Sequence, residues 1–194
     1  LGYKIKHLGI ARRSAKGIEL RVHPTLIPAE ELIANVNGVK NAVLVQANAV
    51  GPTLYYGAGA GAGPTASAVV ADVIDIVRDI IYTEDGAGTI PQLAFEALSD
   101  LNILSSDEMT TGYYLRINAE DQTGVLADVT TILSRLGIGI DAIMQQPRLK
   151  DLIPIVILTD PIQESKMNEA IAKIQALSFV HGEAVRIRLE LLDN

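Results

Sequence analysis

The chain has 194 residues with a formal net charge of −7, and hydrophobic residues make up 48% of it while aromatic residues make up only 4%. A core therefore has to be built from Val, Ile, Leu and Ala, and the acidic balance argues against nucleic acid as the main partner. The absence of cysteine excludes disulfides, thiol nucleophiles and cysteine-based zinc sites.

The amino-terminal residues show no signal-peptide pattern, and no apolar run is long enough to cross a bilayer. These features predict a soluble cytoplasmic protein without a membrane partner. The chain opens at Leu1, already in a strand-like pattern, which we interpret as the start of a piece of a longer protein.

The first eighty residues predict several strands followed by one long helix. Residues 17–24 alternate apolar and polar side chains, as in a half-buried strand. The other expected elements are a strand at 3–12, a short helix at 28–36, β-rich segments at 42–46 and 53–56, and a helix at 65–82.

A glycine-rich loop lies between the second β-rich segment and the long helix. Glycine alternates with other small residues at Gly57, Gly59, Gly61 and Gly63, and Pro64 and Thr65 then open the helix. Such a loop lets backbone N–H groups approach a ligand, and the helix N-terminus favours an anionic or polar group. Two alternatives remain open: a glycine turn that only lets the helix pack closely, and a self-contained dinucleotide fingerprint at 61–66 with Glu84 or Asp85 as its acid.

The helix at 65–82 carries two apolar rows and a narrow acidic stripe formed by Asp72, Asp75 and Asp79. A helix this apolar is expected to be buried on most sides, against a sheet and a partner. The three aspartates are interpreted as a solvated stripe rather than a metal or acid–base site. No grouping of the three histidines predicts a metal site.

After a connector at 84–111, the second half predicts strands at 114–119, 137–146, 153–159 and 185–191, with helices at 124–136 and 162–177. The order β-α-β-β-α-β is that of ferredoxin-like folds, so the predicted class is α+β. Asp121 to Leu126 joins the first strand to the first helix, where Gly124 would allow a tight entry. The freed N–H groups could hold a carboxylate, or Asp121 or Thr123 could simply cap the helix.

Residues in both halves resemble a known family. Residues 9–13 (GIARR), 17–28 (GIELRVHPTLIP), 34–39 (ANVNGV) and 56–76 resemble bacterial homoserine dehydrogenase, and residues 121–128 (DQTGVLAD) resemble the turn of an ACT regulatory domain. The resemblance implies the end of a substrate and dimerisation domain at 1–83, a connector at 84–111 and an ACT domain at 112–194.

The implied activity is the NAD- or NADP-dependent interconversion of L-homoserine and L-aspartate 4-semialdehyde. The family's cofactor-binding Rossmann domain and catalytic lysine precede the segment that this chain matches, so no catalytic residue is assigned here, nor any preference between NAD and NADP. By the resemblance, Gly61 matches the glycine that touches the cofactor, and Thr65 is a second contact. No metal ligand is assigned in this chain.

The ACT resemblance implies homo-oligomers, dimers or tetramers, with an amino acid bound where two ACT domains pair. Threonine is the expected ligand for this pathway. The implied contacts are Asp121, Gly124, Val125, Leu126 and Gln145, with the N–H groups of the turn on the carboxylate and Asp121 on the ammonium group. The alternative is an amino-acid-binding or dimerisation module without catalysis of its own.

Overall fold

The computed structural model describes residues 1–82, 99–147 and 152–192. It divides into two compact units: Leu1–Ala29 with Leu101–Asp193, and Glu30–Asp100. We refer to them as the sheet unit and the helix unit. The helix unit is continuous in sequence, whereas the sheet unit is assembled from both ends of the chain.

The strands and helices of the described residues alternate in an α+β pattern, as predicted. They are β1 Tyr3–Ser14, β2 Gly17–Pro28, β3 Lys40–Ala47, β4 Gly51–Ala58, α1 Ala62–Tyr82, β5 Thr110–Glu120, α2 Val125–Arg135, β6 Ile140–Gln145, β7 Leu152–Thr159, β8 Ile162–Gln163, α3 Glu164–Gln175 and β9 Val180–Leu189.

One sheet runs through the sheet unit in the order β1-β2-β9-β5-β7-β6, with β8 paired to β5. The hairpin β1–β2 is antiparallel from Tyr3↔Pro28 to Ser14↔Gly17. Strand β2 then joins β9 in parallel, through the pairs Thr25↔Arg188 and Leu26↔Leu189. The first two strands of the chain therefore extend the sheet formed by its last eighty residues.

The order β5-α2-β6-β7-α3-β9 confirms the predicted ferredoxin-like pattern. Both helices pack on one face of the sheet, where apolar side chains of β5 and β7 meet those of α2 and α3. The residues of this core that are at most 1% exposed include Tyr113, Leu115, Ile117, Val129, Leu133, Ile155, Ile157, Met167 and Ile174. They supply the aliphatic core that the composition required.

The alternation of β2 is confirmed, but its buried side is not the apolar one. Glu19, Arg21 and Thr25 are buried, while Leu20 is 52% and Val22 70% exposed. The half-buried strand that the alternation predicted therefore buries polar side chains rather than Leu20 and Val22. The physical reason is a buried ion-pair cluster on the polar side of the strand, where Arg21 contacts Glu19 and Glu190.

In the helix unit, β3 and β4 form an antiparallel two-stranded sheet, and α1 follows. Helix α1 ends at Tyr82 as predicted but begins at Ala62, three residues before the predicted start. Its large apolar side chains are exposed from Val69 to Ile81. The expected burial of α1 is thus absent within the described chain. The short helix expected at 28–36 is also wrong, because β2 extends to Pro28 and only a 3-10 turn, Ile33–Asn35, follows.

Most of the expected connector at 84–111 lies outside the described residues, so the domain limits at 83 and 112 stay predictions. At its described end lies a 3-10 turn, Ser106–Glu108, with a capping box between Ser105 and Glu108. The hairpin at 3–28 shares a sheet and a compact unit with β5–β9.

Candidate ligand sites at two helix N-termini

The glycine loop at the start of α1 combines a special backbone conformation with open space. Gly61 has φ +117°, and a Cβ at this position would meet Pro64 Cδ at 3.5 Å. A Cβ at Gly57 or Gly63 would meet no described atom within 4 Å, whereas at Gly59 it would come within 2.0 Å of the Asn41 side chain. Close approach within the chain therefore explains Gly59, while Gly57 and Gly63 border space that a ligand could occupy.

The first turn of α1 limits how Thr65 can act. Its backbone N–H donates to the carbonyl of Gly61 at 3.1 Å, so the hydroxyl is the group left for a ligand. The amides of Ala62 and Gly63 precede this first intrahelical bond and have no acceptor within the helix. They point toward the N-terminal end of α1, where the helix dipole favours negative charge.

The glycine loop does not belong to a self-contained dinucleotide-binding fold. Strand β4, which precedes the loop, pairs antiparallel with β3, whereas the fingerprint requires a parallel βαβ unit. Glu84 and Asp85, the candidate acids of that alternative, lie outside the described residues.

The second candidate site is the turn between β5 and α2. Gly124 is the N-cap of α2 with φ +95° and ψ −19°, and it provides no side-chain cap. The structure therefore places Gly124, rather than Asp121 or Thr123, at the N-cap position. The carbonyl of Gly124 accepts the first intrahelical bond, from the N–H of Asp128 at 3.0 Å, so the amides of Val125 and Leu126 have no intrahelical acceptor.

The side chains of this turn differ in their surroundings. Val125 is buried in the core between sheet and helices, so it would meet a ligand through its backbone N–H. Leu126 is half-buried, and Asp121 and Gly124 are exposed. This arrangement suits a carboxylate held by backbone amides, with Asp121 near enough in sequence to meet a positive group.

Strand register places Gln145 at the same end of the sheet as this turn. Gln145 pairs with Ile155, and Ile155 pairs with Ile117, three residues before the end of β5. Paired residues point to the same face, so Gln145 shares the helix-bearing face with Ile117. It lies on β6, the last strand of the sheet in the described part of the chain, two strands away from β5.

A buried polar cluster in the sheet unit escaped the sequence analysis. The Glu164 carboxylate, 3% exposed, accepts hydrogen bonds from Tyr113 Oη at 2.7 Å and Arg188 Nε at 2.8 Å, and Arg186 lies 3.2 Å away. Burial acts to raise the pKa of Glu164, but the bonds from Arg188 and Tyr113 and the charge of Arg186 outweigh it and lower the pKa. Burial and the neighbouring carboxylate raise the pKa of Tyr113.

Periodicity could not reveal this cluster, because its members are far apart in sequence. The described polar atoms of this cluster form hydrogen bonds and ion pairs with one another. We therefore interpret the cluster as structural rather than as a ligand-binding site. An open depression of about 350 Å³ lies beside it, lined by Asn168, Ile171, Ala184 and Arg186. It coincides with neither predicted site.

The described residues contain no group of three or more side chains arranged to hold a metal ion. Among the same residues, no helix combines the length and apolarity needed to cross a membrane.

Comparison with known proteins separates the chain into two family regions. A model described as homoserine dehydrogenase matches residues 1–74, and a model described as ACT domain matches residues 113–176. Gly61 and Thr65 fall in the first region, and the β5–α2 turn and Gln145 fall in the second.

Full-length relatives carry both regions in the same order. The chain is 55% identical to homoserine dehydrogenase of Pseudomonas aeruginosa, over 100% of this chain and 45% of the relative. It is 50% identical to homoserine dehydrogenase of Neisseria gonorrhoeae, over 99% of this chain and 44% of that relative. The chain therefore spans a little under half the length of the curated relatives it matches.

Solved structures agree with the sequence comparison. A homoserine dehydrogenase from Thiobacillus denitrificans superimposes with a TM-score of 0.88 at 55% identity, covering 97% of this chain and 43% of that one. A homoserine dehydrogenase from S. aureus has a TM-score of 0.61 at 23% identity, which supports the fold.

Proposed function

We propose that this chain is part of an active homoserine dehydrogenase. It corresponds to the carboxy-terminal region of these enzymes, in which a homoserine dehydrogenase segment is followed by an ACT domain. The reaction is the interconversion of L-homoserine and L-aspartate 4-semialdehyde with NAD or NADP. It would supply threonine, methionine and isoleucine biosynthesis in the cytoplasm. Proton and hydride transfer would involve residues of the other half of the enzyme, since this chain is assigned no catalytic residue.

In this proposal the glycine loop closes one side of the cofactor site. The observation that carries it is the φ of Gly61, +117°, a backbone conformation that residues with a side chain rarely adopt, in the loop directly before α1. The hydroxyl of Thr65 and the amides of Ala62 and Gly63 would offer hydrogen bonds to the cofactor or to the bound substrate. These groups position a ligand.

The ACT region is proposed to bind an amino acid, with threonine as the expected feedback ligand. The amides at Gly124, Val125 and Leu126 would hold its carboxylate, Asp121 its ammonium group, and Gln145 its side chain. In the described part of the chain the sheet has two edge strands, β1 and β6, and β6, which carries Gln145, is the one proposed to pair with a second copy. The exposed apolar side of α1 provides a further reason to expect a dimer or tetramer.

The catalytic proposal is tested with a full-length enzyme that contains this chain. Purified protein should oxidise L-homoserine with NAD or NADP. A substitution of Gly61 to Val should raise the cofactor KM, while Gly51→Val should not. Gly51 also has a positive φ, +76°, and open space around its Cβ position, so it controls for backbone strain. If L-homoserine does not cause reduction of NAD or NADP, the result would favour the alternative, a binding or dimerisation module without catalysis.

The regulatory proposal is tested in the same enzyme by threonine inhibition. Gly124→Asp should abolish inhibition by placing a side chain and a negative charge where the carboxylate would bind. Gly137→Asp is the matched control, since Gly137 has φ +70° and open surroundings at the other end of α2. Threonine inhibition that survives Gly124→Asp would show that the turn is not the regulatory site.

A further inference from the structure

The hairpin β1–β2 meets the ACT sheet through buried charges. Glu190, directly after β9, accepts a bond on Oε1 from Arg12 Nη2 and on Oε2 from Arg21 Nη2. Arg21 Nη1 also lies 2.8 Å from Glu19 Oε1. The side chains of Arg21 and Glu190 are 2% and 5% exposed, while that of Arg12 is 45% exposed. One carboxylate therefore connects both strands of the hairpin to the end of β9.

The backbone connection between the hairpin and this sheet is short. Besides the two parallel pairs at Thr25 and Leu26, the N–H of Glu190 donates to Leu26 O at 2.9 Å. At the far end of the hairpin, Ile18 exchanges bonds with the segment 102–104, at 2.8 and 2.9 Å. Leu26 and Tyr3 of the hairpin also pack against Leu158 and Leu189 of this sheet, and Glu190 adds a charged contact to both strands of the hairpin.

A buried ion pair of this kind adds little net stability over an apolar contact, but loss of one partner leaves the other charge buried and unpaired. Its geometry is also specific, because each guanidinium must meet a particular carboxylate oxygen. The cluster is thus suited to holding two elements in one relative position.

The elements it joins come from different family regions. The hairpin lies in the homoserine dehydrogenase match at 1–74. Strand β9 pairs along β5, and β5 ends at Glu120, next to the proposed amino-acid site. A continuous sheet therefore leads from the turn at 121–126 through β5 and β9 to the hairpin.

From this arrangement we infer that Glu190 is a positioning residue, which holds the hairpin to the ACT sheet and transmits the effect of an amino acid bound at the turn to the hairpin. The transmission part of this inference rests on the proposed amino-acid binding, whereas the positioning part does not.

Hydrogen–deuterium exchange of the 194-residue chain tests the positioning part without a ligand. Glu190→Gln should speed exchange of peptides from 17–27 by about tenfold, while peptides from β5 and β7 keep their protection. Glu183→Gln is the control, since Glu183 is an exposed carboxylate on β9 itself. Unchanged exchange of the hairpin, or an equal increase throughout the sheet, would overturn the positioning role.

Arg12→Gln provides a milder second variant that decides the question if Glu190→Gln does not fold. It removes one of the two bonds to Glu190 at a half-exposed position. Exchange should rise in the same hairpin peptides and to a smaller extent. If the Arg12→Gln hairpin exchanges like the wild type, the cluster does not position it.

Addition of L-threonine tests transmission. In the wild-type chain threonine should slow exchange at 121–126 and at 17–27, and in Glu190→Gln it should slow exchange at the turn only. Protection of the turn without the hairpin in the wild type, or of both in the variant, would overturn transmission. If threonine protects neither segment in the wild type, the amino-acid proposal and transmission fail together, while the ligand-free comparison still decides the positioning role.

Discussion

The two units of this chain both contain helices with apolar rows but differ in what covers those apolar side chains. In the sheet unit, α2 and α3 bury their apolar faces against β5 and β7. In the helix unit, α1 carries two rows of Val and Ile. Large side chains of these rows are exposed from Val69 to Ile81. Among the described residues of that unit, Ala34 is the buried hydrophobic residue.

The comparison shows that a hydrophobic pattern predicts that a surface will be covered, without specifying which chain covers it. The sheet unit contains the partners of its own helices. The apolar rows of α1 have no such cover within the described residues, and the relatives are more than twice as long as this chain. We propose that further protein, from the rest of the enzyme or from a second copy, covers α1.

The largest expected effect contrasts one isoleucine from each unit. Ile157→Ala should lower the free energy of unfolding of the chain by about 4 kcal/mol, because Ile157 is fully buried. Ile76→Ala should change it by less than about 0.5 kcal/mol, because Ile76 is 56% exposed. Urea unfolding at a concentration where sedimentation shows a monomer measures both. Equal losses would mean that α1 packs within the isolated chain.

The second prediction concerns the buried carboxylate of the sheet unit. Glu164→Gln should lower the free energy of unfolding by about 3 kcal/mol, because it leaves the charges of Arg188 and Arg186 without their buried counter-ion. Glu169→Gln, on the exposed side of the same helix, removes a surface pair with Lys173 and should cost less than about 0.5 kcal/mol. Similar values for the two variants would contradict the structural role of Glu164.

The third prediction concerns cofactor binding at the glycine loop of the helix unit. In the full-length enzyme, Gly61→Val should raise the cofactor KM at least tenfold, or about 1.4 kcal/mol. The physical reason is that a branched side chain at Gly61 would contact Pro64 and strain the backbone at a φ of +117°, which would displace the loop that is proposed to face the cofactor. Steady-state kinetics with varied cofactor measures the change, and an unchanged KM would remove Gly61 from the cofactor site.

The smallest expected effect is a pH dependence at the hairpin of the sheet unit. Burial lowers the pKa of His23, and nearby Arg188 and Arg21 act in the same direction, against the Pro24 carbonyl and Glu164. The unfolded chain therefore takes up a proton at higher pH than the folded chain. Stability is complete above the ordinary histidine pKa and declines as the pH falls through it toward the lower folded value.

His23→Gln should flatten this decline, since glutamine does not titrate. Thermal unfolding of both proteins between pH 5 and 8 measures the slope. A wild-type slope retained in the variant would show that another group causes it.

The sequence predicted the parts of the fold that depend on local periodicity. The order of β5, α2, β6, β7, α3 and β9 followed from alternation and helical spacing, within a few residues at each end. It could not show that β2 buries Glu19 and Arg21, because their partner Glu190 lies at the other end of the chain. The short helix expected at 28–36 failed because the hairpin pairing of β2 carries the strand to Pro28.

The candidate site was predictable to a similar extent. The glycines at 61 and 124 were singled out for their conformational freedom, and both have positive φ next to a helix start. The sequence did not reveal that Thr65 uses its amide within α1 or that the Val125 side chain is part of the core. Both facts depend on atoms brought together by folding.

The most direct test of the account is a thermal-shift titration of this chain with L-threonine, with other amino acids of the pathway as controls. At a hundred times its Kd, a ligand adds about 2.7 kcal/mol to the stability of the folded state, which raises the Tm by several degrees. The account predicts a selective rise with threonine that Gly124→Asp abolishes and Gly137→Asp retains. An unchanged Tm with every amino acid would contradict the sensor role of the ACT region and leave it as a structural part of the enzyme.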